Sequence, residues 1–357
     1  MKNKLFFSAM LAILLAFGLT LSSCAPSAAK QAIISAASVE EVTGLRNKLT
    51  WLQSNAKSGE TYAVEVNFDE AVDKPDGFSE IFTSTFSHKG NLSYKGKSGI
   101  TIILRGVGAN RTISCDYNGC TAFTVGSGIT LILDNVKIQT GRVTLAGPPS
   151  RGVLVEVSNG GTLVMNEGST ITGAVYPGNG VPGTGEYASI NSGGGVHVSD
   201  GGTLEMNEGS TIIFNTNKFG NGGGVHVASG GTFIMKGGTI ASNMCYPIPD
   251  AAMMAASKGK YNAISEQHYK GGGVYVSGGG NLFGKTIPGG TFIKSGGTIT
   301  GYASDSEKGN QVRDFAGNNL AQNSGHAVYA GSKRKEGTAG PEVNLHFSDD
   351  KISGDWD

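Results

Sequence analysis

A glycine-punctuated phrase recurs along the second half of the chain. It reads GGGVHVSDGGTLEMNEGSTI from Gly193 to Ile212 and GGGVHVASGGTFIMKGGTI from Gly222 to Ile240. A third copy opens GGGVYVSGGG at Gly271, and a fainter one, GVLVEVSNGGTLVMNEGSTI, runs from Gly152 to Ile171. A unit this short cannot bury its own apolar residues, so copies that return in phase must stack on one another.

Each copy divides into three short apolar runs separated by turn residues. The first runs are Val155-Glu156-Val157, Val196-His197-Val198, Val225-His226-Val227 and Val274-Tyr275-Val276. The second runs begin at Thr101, Thr130, Thr162, Thr203, Thr232 and Thr291, with a weaker member at Asn344–Phe347. The third runs centre on Ile113, Ile138, Ile171, Ile212, Ile240, Ile299 and Ile352. Alternation of apolar and variable positions is the period of a strand with one buried face. The Thr-to-Thr step is 29 residues from Thr101 to Thr130 and again from Thr203 to Thr232. A propeller blade needs four strands and roughly 40–50 residues, so the spacing excludes it. The pattern predicts an all-β right-handed parallel β-helix of about seven three-stranded turns, with a core of stacked Val, Leu, Ile, Phe and Met. At one strand spacing per turn, such a coil is on the order of 30–35 Å long.

Ser38-Val-Glu-Glu41 has the form of a capping box, and Val42, Leu45, Leu49 and Leu52 follow at helical spacing. This predicts an N-terminal helix capping the coil, followed by a strand from Tyr62 to Phe68. The expected organisation is a leader over 1–23, a tether over 24–38, a cap over 39–91 and the coil over 92–357. The longest insertions fall mainly between a third run and the next first run. These connections span 25 residues from Ile171 to Val196, 34 from Ile240 to Val274 and 29 from Ile299 to Val328. In a coil they emerge along one edge and carry Tyr246, Tyr261 and Tyr269.

Lys2 and Lys4, the apolar stretch Leu5–Leu21 and the small residues before Cys24 form an export signal. Leu21-Ser22-Ser23-Cys24 resembles the lipobox of bacterial lipoproteins. That resemblance implies cleavage before Cys24, acylation of Cys24 and membrane lipid as the anchoring partner, in the cell envelope at the outer membrane or cell surface. Without Lys2 and Lys4 the chain holds 26 basic and 28 acidic residues, a net of −2. Only Lys333-Arg334-Lys335 is a basic cluster, so nucleic acid is not an expected partner. Cys115 and Cys120 flank Tyr117-Asn118-Gly119 and are either a small disulfide or two free thiols.

Gly-Gly-Gly-Val at 193, 222 and 271, with Phe214-Asn-Thr-Asn217, resembles the GGA(I/L/V) and FxxN repeats of polymorphic outer membrane proteins. The coil also looks like the right-handed parallel β-helix lipoproteins of bacterial surfaces, within the pectate-lyase-like superfold. The likeness covers roughly residues 90–355 and implies adhesion or display at the surface. Autotransporter members end in a membrane barrel, for which no segment is evident before Asp357, so lipid is the expected anchor.

Stacking places Glu156, His197, His226, Tyr275 and Tyr329 in one outward column. His197 and His226 would lie about 5 Å apart. A zinc site needs three or four ligands, so the column reads as an exposed ladder and no metal is expected. Asn166-Glu167 and Asn207-Glu208 fall short of the six to eight oxygens calcium takes and read as solvated turns. A polysaccharide lyase or hydrolase is the rival function, and a passive coat protein a third. Glu186, Asp250, Glu266, Asp305 and Asp314 are scattered singly, without the carboxylate pair that glycoside hydrolysis requires. No catalytic residue and no cofactor is assigned. The favoured expectation is a surface protein binding a host or matrix protein or a glycan through His197, His226, Tyr275, Tyr246, Tyr261 and Tyr269.

Overall fold

The computed structural model describes residues 37–38, 43–71, 91–115, 121–140, 153–176, 193–218, 220–246, 269–282, 284–302, 308–314, 318–320 and 323–357. Over these the chain is mainly strand, in parallel sheets, with one short helix. It visits three long sheets in turn. The run Val155–Val157 lies in the first sheet, Thr162–Met165 in the second and Thr170–Thr172 in the third. Each then pairs, parallel and in register, with its equivalent in the next copy: Val155 with Val196, Thr162 with Thr203 and Thr170 with Thr211.

This register follows from the period of two, because a slip by one residue would turn every Val and Leu outward. The inward columns are closed. Val157, Val198, Val227 and Val276 in the first sheet, and Ile138, Ile171, Ile212 and Ile240 in the third, are fully buried. Phe233 and Phe292 stack in the second sheet with ring centroids 5.2 Å apart. The outer side of the second sheet is shielded in its first four copies, where Ala63, Ile103, Ile132 and Val164 are also buried, and half-exposed at Glu205, Ile234 and Ile293. One buried face is therefore too simple a description of that sheet.

The turns repeat because they are made the same way. Ser169 and Ser210 donate their hydroxyls to the carbonyls of Asn166 and Asn207, closing the turn before each third-sheet strand. Asn207 Nδ2 donates to Asn166 Oδ1 at 3.0 Å, so these amides bond each other from copy to copy.

Two expectations need correction at the N-terminal side. The helix, α1, spans Leu45–Asn55 and begins at Gly44 (φ 79°) without a side-chain cap. Glu70 Oε2 takes the Leu45 N–H at 2.6 Å, so a distant carboxylate fills the place assigned to Ser38–Glu41. Leu45, Leu49 and Leu52 do join the main core. The strand after the helix, Thr61–Val66, is not a separate leader: it pairs parallel with the second-sheet strand Ile100–Gly106, so the stack starts before residue 92.

The C-terminal end reverses. Leu345–Ser348 pairs antiparallel with Thr291–Lys294, then folds back as the strand Lys351–Gly354. The seventh turn expected from Asn344–Phe347 and Ile352 therefore does not form, and Ile352 is 51% exposed. Ser348-Asp349-Asp350-Lys351 is a tight-turn sequence, with the Ser348 hydroxyl donating to Asp350 Oδ1 at 2.6 Å. Lys294 occupies the inward position held by Met235 one copy earlier. It is 1% exposed and donates to the carbonyls of Gly340 (2.5 Å) and Val343 (2.6 Å). Burial holds its ammonium below the usual lysine range.

A further short sheet was not anticipated. Val175–Tyr176, Thr216–Lys218, Met244–Tyr246 and Gln311–Val312 pair parallel; the first three follow directly on third-sheet strands, and the last lies within the connection after Ile299.

Candidate functional site

The Val-x-Val alternation turns its middle residue away from the core. Parallel register places Thr124, Glu156, His197, His226, Tyr275 and Tyr329 one above the other on the outer side of the first sheet. The His197 and His226 rings are 5.1 Å apart and tilted by 47°, and His226 lies 4.9 Å from the Tyr275 ring. Tyr275 and Tyr329 stack nearly parallel, at 6.0 Å and 7°. Lys270 Nζ donates to the Tyr329 hydroxyl at 2.8 Å and sits 4.2 Å from the ring centroid.

The column forms in the expected order, but it is not an exposed ladder. His226 is fully buried. Its Nδ1 lies 3.3 Å from the Asn221 carbonyl oxygen and its Nε2 3.5 Å from Ser277 Oγ. His197 Nδ1 is buried without a hydrogen-bond partner. Burial pushes His197 down to about 4. Burial first, and the neighbouring His197 second, push His226 down to about 3. Both imidazoles are therefore neutral at neutral pH. Burial also raises the Tyr275 hydroxyl above its ordinary value. Among the described residues no group of three His, Cys, Asp or Glu side chains is placed to hold a metal ion.

Tyr269 does not face solvent. It is 3% exposed and packs with Cys245, Val312 and Leu320 in a small core of their own. That position was not legible because its partners lie 24 and 43 residues away, at Cys245 and Val312. Tyr246 lies in the strand Met244–Tyr246, whereas Tyr261, Cys24 and Cys120 lie outside the described residues. Cys115 is disulfide-bonded, and Cys245 is a buried free thiol whose pKa burial raises.

Within the Phe214–Asn217 segment, the asparagine that stacks on the next copy is Asn215. Asn243 bonds to Asn215, whereas Asn217 pairs with Cys245. Asn215, Asn243 and Asn310 form a fully buried amide ladder. Asn215 Nδ2 donates to Asn243 Oδ1, and Asn243 Nδ2 to Asn310 Oδ1, each at 2.9 Å. The same oxygens accept the backbone N–H of Asn215 and Asn243 at 3.0 Å. Phe214, just ahead of this ladder, holds φ 56° and is 62% exposed.

The glycine triplets are fitted to these elements. The third glycine of each triplet lies on the ladder: a Cβ on Gly224 would meet Asn243 Nδ2 at 2.9 Å, and one on Gly273 would meet Asn310 Nδ2 at 2.7 Å. The middle glycine lies against the short fourth strand, where a Cβ on Gly223 would meet Met244 backbone at 2.6 Å. At the last copy Gly325-His326-Ala327 replaces the triplet. His326 Nδ1 accepts the Val312 N–H at 3.2 Å, and Nε2 lies 2.8 Å from the Leu320 carbonyl oxygen.

Two other places could suggest chemistry. Ser348, His346 and Asp350 meet in the C-terminal hairpin, with Ser348 Oγ 3.5 Å from His346 Nε2. Asp350 accepts from the serine rather than from the histidine, so the order of a proton relay is not present. That same hydrogen bond is the main cause holding the Asp350 carboxyl below its ordinary range. A groove of about 430 Å³ runs over Glu208, Thr211, Lys236, Thr239, Thr298 and Pro341. It offers hydroxyls, one carboxylate and one ammonium.

No helix among the described residues is long and apolar enough to cross a membrane. No family model matches the chain, and no curated protein or solved structure is similar to it.

Proposed function

We propose that this chain is a lipid-anchored protein of a bacterial envelope, resembling the polymorphic-outer-membrane-protein repeat lipoproteins. In this reading the stacked sheets wind as a right-handed parallel β-helix, and the edge bearing the long connections meets a protein or glycan ligand. One observation carries the ligand-binding part. The strands Val175–Tyr176 and Met244–Tyr246, from which two long connections depart, and Gln311–Val312, which lies within the third, belong to one sheet. The connections consequently leave the molecule along a common edge, and scaffolded loops gathered on one edge are where binding residues concentrate. The half-buried Tyr275 and Tyr329 provide a flat aromatic face on the first sheet, next to where these connections rejoin it.

Two measurements test the reading. Cys24→Ala shifts the protein from the membrane to the soluble fraction if acylation is the anchor. Replacing residues 247–268 by a short Gly-Ser linker lowers binding to matrix proteins, cells or a glycan array if the edge is the ligand surface. Unchanged partition and unchanged binding would each remove their half of the reading.

A polysaccharide-active enzyme is the second reading, favoured only by the groove at Glu208 and Lys236. Hydrolysis of a glycoside by paired carboxylates needs two acids across the cleft, and the groove lining holds Glu208 alone. Release of reducing ends or unsaturated products from a polysaccharide panel would reverse this ranking.

A further inference from the structure

We propose that the His197–His226 stack is an acid-opened clasp, which holds the Asn221 turn and the returning Lys270 segment against the first sheet. Three observations converge on it. The two rings occupy adjacent strands 5.1 Å apart, and His226 has no exposed surface. The hydrogen bonding of the pair suits uncharged rings: His197 Nδ1 has no partner, and His226 meets only a carbonyl oxygen and a hydroxyl. Asn221 is a hub, because its carbonyl also accepts from Asn217 Nδ2 at 2.8 Å and its side-chain oxygen accepts the Lys270 N–H at 2.8 Å.

Among the described residues, the titratable groups facing the pair are few. Glu156 lies one strand below His197. Tyr275 lies one strand above His226, with Tyr329 and Lys270 a strand further. The Lys270 ammonium adds no counter-charge, and Glu156 is adjacent to His197 rather than to His226. A proton on His226 is thus buried beside a second imidazole without an adjacent carboxylate. Protonation is relieved when the ring reaches water, which requires the Asn221 turn to leave with it. Opening would then loosen the points at which two connections rejoin the first sheet. The inference does not depend on the ligand reading, since it concerns the clasp itself.

The sign is fixed by linkage. Histidines whose folded pKa values, about 4 and about 3, lie below the ordinary value of 6.5 bind protons more readily once released. The closed form is fully favoured above about pH 6.5 and loses its advantage as the pH falls towards 4. For one proton taken up, the open fraction rises about tenfold per pH unit across that window.

The test uses the full-length protein. Histidine side-chain NMR should show His226 neutral down to at least pH 5, and a titration midpoint near 6.5 would overturn the clasp. Hydrogen exchange, corrected for intrinsic rate, should show protection of residues 221–227 and 270–276 falling faster with acid than protection of Leu163–Met165. His226→Phe should flatten that difference. Should this variant fold poorly, His226→Gln keeps a neutral group able to bond Asn221 and should do the same. An acid response identical in wild type and variant would sink the proposal.

Discussion

Gly223 shows how far a single hydrogen atom can matter in this chain. A methyl group there would run into Gly272 O and the Met244 backbone, neither of which can move without parting two sheets. Gly223→Ala should therefore cost about 1–3 kcal/mol or more in denaturant unfolding. Gly280→Ala, where a Cβ meets nothing within 4 Å, should leave stability nearly unchanged. Asn243 is the matching polar position. Asn243→Leu removes the acceptor of two bonds from Asn215 and the donor to Ile212 O at 2.9 Å, and strands these groups in the core. A loss of on the order of 3 kcal/mol is expected, read as a lower urea midpoint. The glycines were legible as recurring turn residues. What each one touches was not, because its neighbours lie a full copy away.

At the scale of elements, the C-terminal hairpin ends a stack that would otherwise present an open edge at Thr291–Lys294. Open edges recruit other strands. Lys294 pins this closure from inside, with its ammonium on the Gly340 and Val343 carbonyls. Lys294→Met would continue the inward Met165–Met206–Met235 column but strand both carbonyls. It should raise hydrogen exchange across 340–348, at a local cost of about 1–3 kcal/mol. Exchange unchanged from wild type would mean that the hairpin holds without the lysine. The sequence presented Asn344–Phe347 as another copy of the second run, since a strand's alternation is the same in either direction. The Asp349-Asp350 turn sets the hairpin with Lys351–Gly354, and Lys294 ties the incoming segment through Gly340 and Val343.

Across the whole molecule, the connections are separable from the stack that carries them. Cys245 Sγ lies 3.8 Å from Lys270 O, so the two ends of the longest insertion are side by side. Replacing 247–268 with a short flexible linker should leave the melting temperature within a few degrees, because loop-closure entropy changes only slowly with length. A large drop would mean that the insertion is structural. An unchanged melting temperature would let the proposed ligand edge be altered without altering the stack.

The sequence by itself determined the strands of the three sheets, their parallel register over most of the stack and the inward columns. These follow from a period of two repeated in phase, and that information is local. Only the tertiary structure decided that His226 and Tyr269 are buried, that Asn215 rather than Asn217 joins the amide ladder, that Glu70 serves α1, and that the last strands reverse. Each of these depends on what a side chain meets across one copy or more of intervening chain. Alternation says which way a residue points, but burial and hydrogen bonding are settled by the atoms already there.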